Sequence, residues 1–417
     1  MVCLCEPFPV RVLTVGVALS LLLACVAVGW AAQVRGWRVG EPIVTYWAGP
    51  PMTDATAEQM RAGGWNLVWC TEAELDVAQR HGLRAQLQDP LLSPGSLDDP
   101  AKRAQLDALI ERVRKHPALY SYYVTDEPNA STFPAWGKLV AYLREKDPAH
   151  LAYLNLFPTY ANNEQLGTKG DTVTAYNEHL RQYVDIVKPE LISYDHYQFM
   201  VGSDSNQYFL NLAMIRQAAL EAHVPFLNIV QAASWAPGVR VPNGRELSYL
   251  VYTSLAYGAQ GISYYVYRCA GHTGAMADEA GQPTALYHAA QSLNREFAAI
   301  ARELQPLTSL GAYHAGMVPP GAEPLSANSA FRLDPPPPPQ PAATPVKGVL
   351  LGCFGPSTRP THVVVVNLDY DNPATIALVG SRPLQVFDAS RGEWLPSGGK
   401  SARLELPPGG GKLVRSS

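Results

Sequence analysis

Short apolar stretches and helical repeats alternate along most of the chain. The stretches are PIVTYWAGPP (42–51), WNLVWC (65–70), LRAQLQDP (83–90), LYSYYVTDEP (119–128), LAYLNLFP (151–158), LISYDHYQF (191–199), VPFLNIVQA (224–232) and GISYYVYR (261–268). Each is followed by a helical pattern, at about 54–62, 74–81, 101–115, 134–145, 173–187, 208–223, 246–257 and 286–304, with Thr53 and Asp54 as cap residues of the first. Continuous apolar strands separated by helices imply parallel pairing with both sheet faces covered. Eight such units in about 270 residues predict an α/β fold, a (β/α)8 TIM barrel. A doubly wound open sheet uses the same alternation but often opens on a Gly-rich turn, and no G-x-G-x-x-G occurs here.

Past Leu310 the period changes. KGVLLGCF, HVVVVNLDY, ATIALVG, PLQVFDAS and ARLELPP are β-type runs separated by Gly, Pro, Asn and Asp, the pattern of a small all-β sandwich, with a hairpin expected around Gly392. The barrel is therefore placed at 36–310 and the sandwich at 311–417. Five consecutive prolines, 335–339, lie in a Pro-rich loop, 334–346, which reads as a stiff surface segment.

At the start, residues 12–32 carry no charge and follow Arg11, so 1–35 reads as a signal peptide or a membrane anchor. Leu22-Leu23-Ala24-Cys25 resembles a lipoprotein processing site, although the apolar run continues past Cys25. All three readings export the body of the protein, to a secreted or periplasmic location with anchoring through the N-terminus as the variant. Contact with a membrane is expected only through that segment. Of six cysteines, Cys3, Cys5 and Cys25 lie in it; Cys70, Cys269 and Cys353 have neither disulfide-framework nor zinc-site spacing.

Composition narrows the partners. The net charge is −4, charged residues make up 16%, and no basic stripe recurs, which argues against nucleic acid. Eight Trp and 21 Tyr suit a sugar-binding cleft, although ordinary cores use them too.

Barrel enzymes keep their chemistry at the C-terminal ends of the strands. Reading those ends in order gives Trp47, Glu72, Asp126 with Glu127, Asn155, Asp195 with His196 and Tyr197, Gln231, Trp235 and Tyr267. The centre is SYYVTDEPN (121–129), a strand running into two adjacent carboxylates and Pro128, which stops it. The alternative is local: Asp126 as a helix cap and Glu127 as a solvated loop residue. Carboxylates among aromatics and amides suit glycosidic bond cleavage, one group protonating the leaving oxygen and another acting as nucleophile or base. His196 beside Asp195 does not make a metal site, and no cofactor is expected.

The acid at the end of strand four, Glu127, and the approach YGAQGISYYVYR (257–268) to strand eight resemble the clan A glycoside hydrolases, most of all their β-galactosidase-like members. The resemblance covers about 40–305 and implies a barrel with a C-terminal β-sandwich and Glu127 as general acid/base. Two positions depart from the clan's pattern. Asp126 stands where the clan has Asn, and Gln231 stands where it has its nucleophilic Glu; an amide cannot attack as a carboxylate does. Asp195, two strands from Glu127, is the preferred second carboxylate. An Asp126 and Asp195 pair would instead resemble α-galactosidase-type barrels, and Glu72 is a third candidate. Glu246 fits a capping box with Asn243.

The reading at this point is an exported glycoside hydrolase acting on a carbohydrate. Glu127 and Asp195 are its catalytic pair, and Asp126, Gln231, Asn155, His196, Tyr197, Trp47, Trp235, Tyr267 and Glu72 bind substrate. The rival is a non-catalytic glycan-binding barrel that has lost its nucleophile, for which Gln231 is the support.

Overall fold

A computed structural model describes residues 37–417. The expected leader, 1–35, lies outside the described residues. Eight parallel strands form one sheet: β1 (Ile43–Trp47), β2 (Leu67–Cys70), β3 (Arg84–Leu87), β4 (Leu119–Asp126), β5 (Leu151–Leu156), β6 (Ile192–His196), β7 (Phe226–Gln231) and β8 (Gly261–Tyr265). Their spatial order is β1-β8-β7-β6-β5-β4-β3-β2, which is a barrel opened between β1 and β2. There the ring is joined by a single backbone bond, Asn66 N–H to Val44 O (3.0 Å), and by the Asn66 side chain, whose Oδ1 accepts from Val44 N–H (2.9 Å).

The helices between and after the strands are α1 (Asp54–Ala62), α2 (Leu75–Arg80), α3 (Pro100–Val113), α4 (Phe133–Lys146), α5 (Thr172–Gln182), α6 (Tyr208–Ala222), α7 (Gly244–Tyr257) and α8 (Ala285–Leu304). Caps fix several starts: Asn243 Oδ1 accepts from Arg245 and Glu246 N–H, and Glu246 reaches back to Asn243 N–H, closing the expected capping box. None of the helices among the described residues is long and apolar enough to cross a membrane.

Strand alternation sorts the barrel's side chains. Ile43, Leu67, Leu151, Leu191, Leu227 and Ile229 fill its interior, while their neighbours Val44, Val68, Ala152, Ile192 and Val230 pack against the helices.

The C-terminal part is the expected β-sandwich. Strand β9 (Thr308–Gly316) follows α8 directly, and Leu304 to Thr308 is all that separates them. The other strands are β10 (Phe331–Leu333), β11 (Gly348–Gly355), β12 (His362–Asn367), β13 (Ala374–Gly380), β14 (Leu384–Asp388), β15 (Glu393–Pro396), β16 (Ser401–Leu406) and β17 (Gly411–Ser416). One sheet runs β9-β11-β12-β17-β14-β15, and a second, β10-β13-β16, covers one of its faces. The hairpin at Gly392 joins β14 to β15, with φ of 68° at that glycine. Three strands escape the sequence pattern, β9, β10 and β17, because Gly, Ala, Ser and charged residues interrupt their apolar positions.

The valine run of β12 has a tertiary reason. Val363 and Val365 face the second sheet, whereas Val364 and Val366 join the barrel's own core through α7, so both faces of the strand are buried. Barrel and sandwich thus share one continuous hydrophobic core. Gly352 on β11 sits so close to α7 that a Cβ there would lie 2.0 Å from the Ala256 carbonyl oxygen.

Candidate active site

The last inward-facing residue of each strand lies at the C-terminal mouth. Among these are Trp47 on β1, Trp69 on β2, Asn155 on β5, Asp195 on β6 and Tyr265 on β8. On β4 the alternation is broken. The register with β5 shifts between Tyr123 and Thr125, so Tyr123 and Asp126, three residues apart, both face inward. A bulge that re-aims a side chain beside a site is a recurrent device.

A second backbone feature brings in Glu127. Neighbours on a strand normally point to opposite faces, but Glu127 has φ of 44°, a left-handed conformation that costs a non-glycine residue of the order of 1–2 kcal/mol. Its N–H still donates to Asn155 O (2.9 Å), and the turned side chain rejoins Asp126 in the mouth. There the Glu127 carboxyl stands beside that of Asp195, near enough for each to shift the other's titration.

Asn155 holds the cluster together. Its Nδ2 donates to Asp126 Oδ1 (3.0 Å) and to Asp195 Oδ1 (2.7 Å), so those oxygens lie within two hydrogen-bond lengths, about 6 Å, of each other. Its Oδ1 accepts from Ser193 Oγ (2.9 Å), which lies 2.7 Å from the Tyr153 hydroxyl. The chain Tyr153–Ser193–Asn155 therefore fixes the amide orientation from below.

Burial raises all three carboxyls, and repulsion between them adds to it at Glu127 and Asp195. Burial pushes Glu127 up to about 7, with the Asp126 charge adding to it and the contact with Asp195 working the other way. Asp195, enclosed on all sides, is raised well above the usual range by burial and then by the charges of Glu127 and Asp126. Asp126 is raised by the surrounding protein and lowered by Asn155, although its side chain is exposed to the mouth. The Glu127–Asp195 pair consequently retains a proton close to neutral pH.

Aromatic rings surround this ridge. Trp47, Trp69 and Tyr123 pack edge to face and tilted at 4.8–5.8 Å between centroids and form the floor. Tyr197, Trp235 and Tyr265 meet pairwise at 4.5–4.9 Å, and His272 Nε2 lies 3.2 Å from the Tyr265 hydroxyl. Tyr160, after β5, stands exposed beside Asp195 and Glu127. Trp69, Tyr123, Tyr265, Tyr160, His272, Ser193 and Tyr153 were not singled out from the sequence. Counting inward positions back along each strand would have found Trp69 and Tyr265.

Four expected binding residues are placed elsewhere. His196 faces the helices because its neighbour Asp195 faces in; both ring nitrogens are occupied, by Asn211 Oδ1 (2.9 Å) and Ser205 Oγ (2.9 Å), and burial lowers its pKa to about 4. Gln231 spends its amide on backbone: Oε1 accepts from Phe199 N–H (2.7 Å), and Nε2 donates to Phe199 O (2.9 Å) and Arg240 O (2.7 Å). It clamps two loops. Tyr267 lies beyond the end of β8 and turns back over α1, where its hydroxyl donates to Gln59 Oε1 (2.5 Å). Glu72 faces outward, held by both oxygens to Arg112 of α3 (2.6 and 2.9 Å).

Among the described residues no group of three or more His, Cys, Asp and Glu side chains could hold a metal ion. A cavity of about 580 Å³ lies at the opposite end of the barrel, lined by residues such as Arg216, His223, Gln260 and Phe354, away from the carboxyl ridge.

No family model matches the chain, and no curated protein matches it. Solved structures to which it is similar are glycoside hydrolases. A GH27 β-L-arabinopyranosidase from Geobacillus stearothermophilus is 9% identical, with 90% of this chain and 97% of that one covered at a TM-score of 0.47. An α-galactosidase I from Mortierella vinacea is 10% identical over 90% and 98% at 0.47. Xylanase 10B from Thermotoga maritima is 11% identical over 62% and 96% at 0.41. At such identities and TM-scores the likeness assigns no activity to this chain.

Proposed function

We propose that the protein is a glycoside hydrolase that acts with retention of configuration, with Glu127 as the general acid/base. The observation that carries this reading is the cluster of three carboxyls, Asp126 and Asp195 held by the Asn155 amide with Glu127 beside them, over an aromatic floor. Glu127 is half-buried and Asp195 fully buried, so Glu127 is the member that meets substrate. Its proton passes to the glycosidic oxygen as the bond to the anomeric carbon breaks, and Asp195 supports it from beneath. Asp126 takes the second role in place of Asp195, its carboxylate forming the bond to the anomeric carbon. Water then releases the sugar, giving its proton back to Glu127.

Crowding supports retention over inversion. Inverting enzymes separate their carboxyls by roughly 6.5–9.5 Å to admit a water, and retaining ones by roughly 5–5.5 Å. Asp126 adjoins Glu127 on the same turned strand end, and its Oδ1 lies no more than about 6 Å from that of Asp195 through the shared amide, short of the wider range.

The decisive measurement is aryl glycoside turnover by Glu127→Gln, which keeps shape and removes the acid. Turnover should be lost while the circular dichroism spectrum is unchanged; undiminished turnover would overturn the assignment. The first anomer released, followed by NMR, should keep the configuration of the substrate, and an inverted product would remove Asp126 as nucleophile. The reading includes export through residues 1–35, which cell fractionation checks.

A further inference from the structure

Tyr160 belongs to the loop after β5, in a turn where Ala161 N–H donates to Pro158 O (3.1 Å). Its side chain is 43% exposed and stands beside Glu127 and Asp195, yet the turn that carries it is fixed by side chains closed off from solvent. Asn211 of α6, fully buried, is their centre. Its Oδ1 accepts from the Thr159 N–H (2.9 Å), from the Thr159 hydroxyl (3.3 Å) and from His196 Nδ1 (2.9 Å), and its Nδ2 donates to the Tyr176 hydroxyl (3.1 Å). Tyr176 of α5 donates in turn to Phe157 O (2.7 Å). The backbone is thus held at 157 and 159, on the approach to Tyr160.

His196 completes the arrangement. An amide oxygen only accepts, so Nδ1 carries the ring proton and Nε2 accepts from the Ser205 hydroxyl (2.9 Å). The ring is neutral, because burial lowers its pKa to about 4, and it meets Tyr160 and Tyr208 edge to face at 5.0 and 5.6 Å. Thr159, Tyr176, His196 and Asn211 are all buried and hydrogen-bonded to one another or to nearby backbone. Burying such groups is costly unless they are paired, and rigid once they are. What this network makes rigid is the seat of one exposed aromatic ring.

We propose that Tyr160 is a substrate-contacting residue, its ring packed on the sugar beside Glu127, and that Asn211, Tyr176 and His196 are positioning residues that hold it there. This rests on the reading of the site as a glycoside hydrolase. A ring held in advance gives up little freedom on binding, so the apolar face it offers a sugar adds to affinity. The three positioning residues act only through the turn and through the ring of Tyr160.

Kinetics on aryl glycosides test both parts. Tyr160→Ala removes an exposed ring and should raise KM by at least about tenfold with kcat within about threefold of the wild type, whereas Tyr160→Phe, which keeps the ring, should stay within about twofold in both. An unchanged KM in Tyr160→Ala would overturn the contact. His196→Phe keeps a ring and loses both hydrogen bonds, and Tyr176→Phe loses only a hydroxyl, so that one folds even where the other does not. Either should raise KM by at least about threefold, and the rise should vanish when residue 160 is already Ala, because coupled residues do not add. A rise that persists in the Tyr160→Ala background would overturn the positioning role. Where the wild type turns over none of these glycosides, calorimetry compares their binding instead. Weaker binding by Tyr160→Ala then leaves the contact standing and removes the hydrolase reading; equal binding, or none by the wild type, overturns the contact.

Discussion

A carboxyl that must give up a proton near neutral pH has to sit where its charged form is disfavoured, and that placement weakens the fold. Glu127, ordinarily near 4.5, is pushed up to about 7 by burial and by Asp126. Because the folded pKa lies above the unfolded one, the penalty is absent below about pH 4.5 and grows until about pH 7, at roughly 1.4 kcal/mol per unit. Glu127→Gln has no charge to bury. It should therefore be more stable than the wild type by about 1–3 kcal/mol at about pH 8 and show no gain at about pH 4, as read by urea denaturation at both pH values. The same shift makes kcat/KM fall as pH rises past about 7, where Glu127 loses the proton it donates. Asn155 offers a second check, since its amide lowers both Asp126 and Asp195. Asn155→Ala should reduce kcat by about a hundredfold and move the acid limb of the profile to higher pH, because Asp126 then ionises less readily.

At the scale of elements, the mouth depends on which way each strand's last side chains face. Listing polar residues at strand ends finds Asp195 and Asn155 but also collects His196, whose parity sends it to the helices. Tyr264, Tyr265 and Tyr267 look alike in sequence, yet only Tyr265 enters the mouth, and Tyr264 bonds Asn294 on α8 (2.7 Å). The loops after β6 and β7 depend on Gln231. Gln231→Leu removes three hydrogen bonds and leaves buried backbone groups of Phe199 and Arg240 unpaired, a loss of about 2–4 kcal/mol. Limited proteolysis should then cut within 199–204, where the wild type resists.

For the whole molecule, the sandwich is part of the barrel's interior rather than an appendage. Leu350, Phe354, Val364, Val366 and Leu413 share a core with Tyr249, Leu255 and Ala256 of α7, and the Tyr370 hydroxyl donates to Asp204 in the loop after β6. The described residues should unfold in one cooperative calorimetric transition, and two separated transitions would contradict the shared core. A chain ending at Leu307 would expose the α7 face and should be recovered insoluble. Gly352→Ala forces a methyl against the Ala256 backbone, so a drop of several kcal/mol in stability is expected by thermal denaturation.

The sequence alone determined the barrel and the strand that carries its chemistry. Eight apolar runs alternating with eight helical repeats leave little choice but parallel pairing, and carboxylates at the end of a barrel strand stand where such folds place reacting groups. The runs GVLLGCF and HVVVV likewise announced a β domain, while its full extent was hidden by weakly apolar strands such as TSLGAYHAG. Only the tertiary structure decided the partners. A bulge in β4 and the left-handed φ at Glu127 turn two adjacent carboxyls to one side, against the alternation that sequence position implies. The shared amide of Asn155, the clamp made by Gln231 and the Glu72–Arg112 pair arise from distances across the fold, between residues up to 40 positions apart. Periodicity reports which face a side chain takes along one strand; which side chain waits opposite depends on how the strands close into a ring.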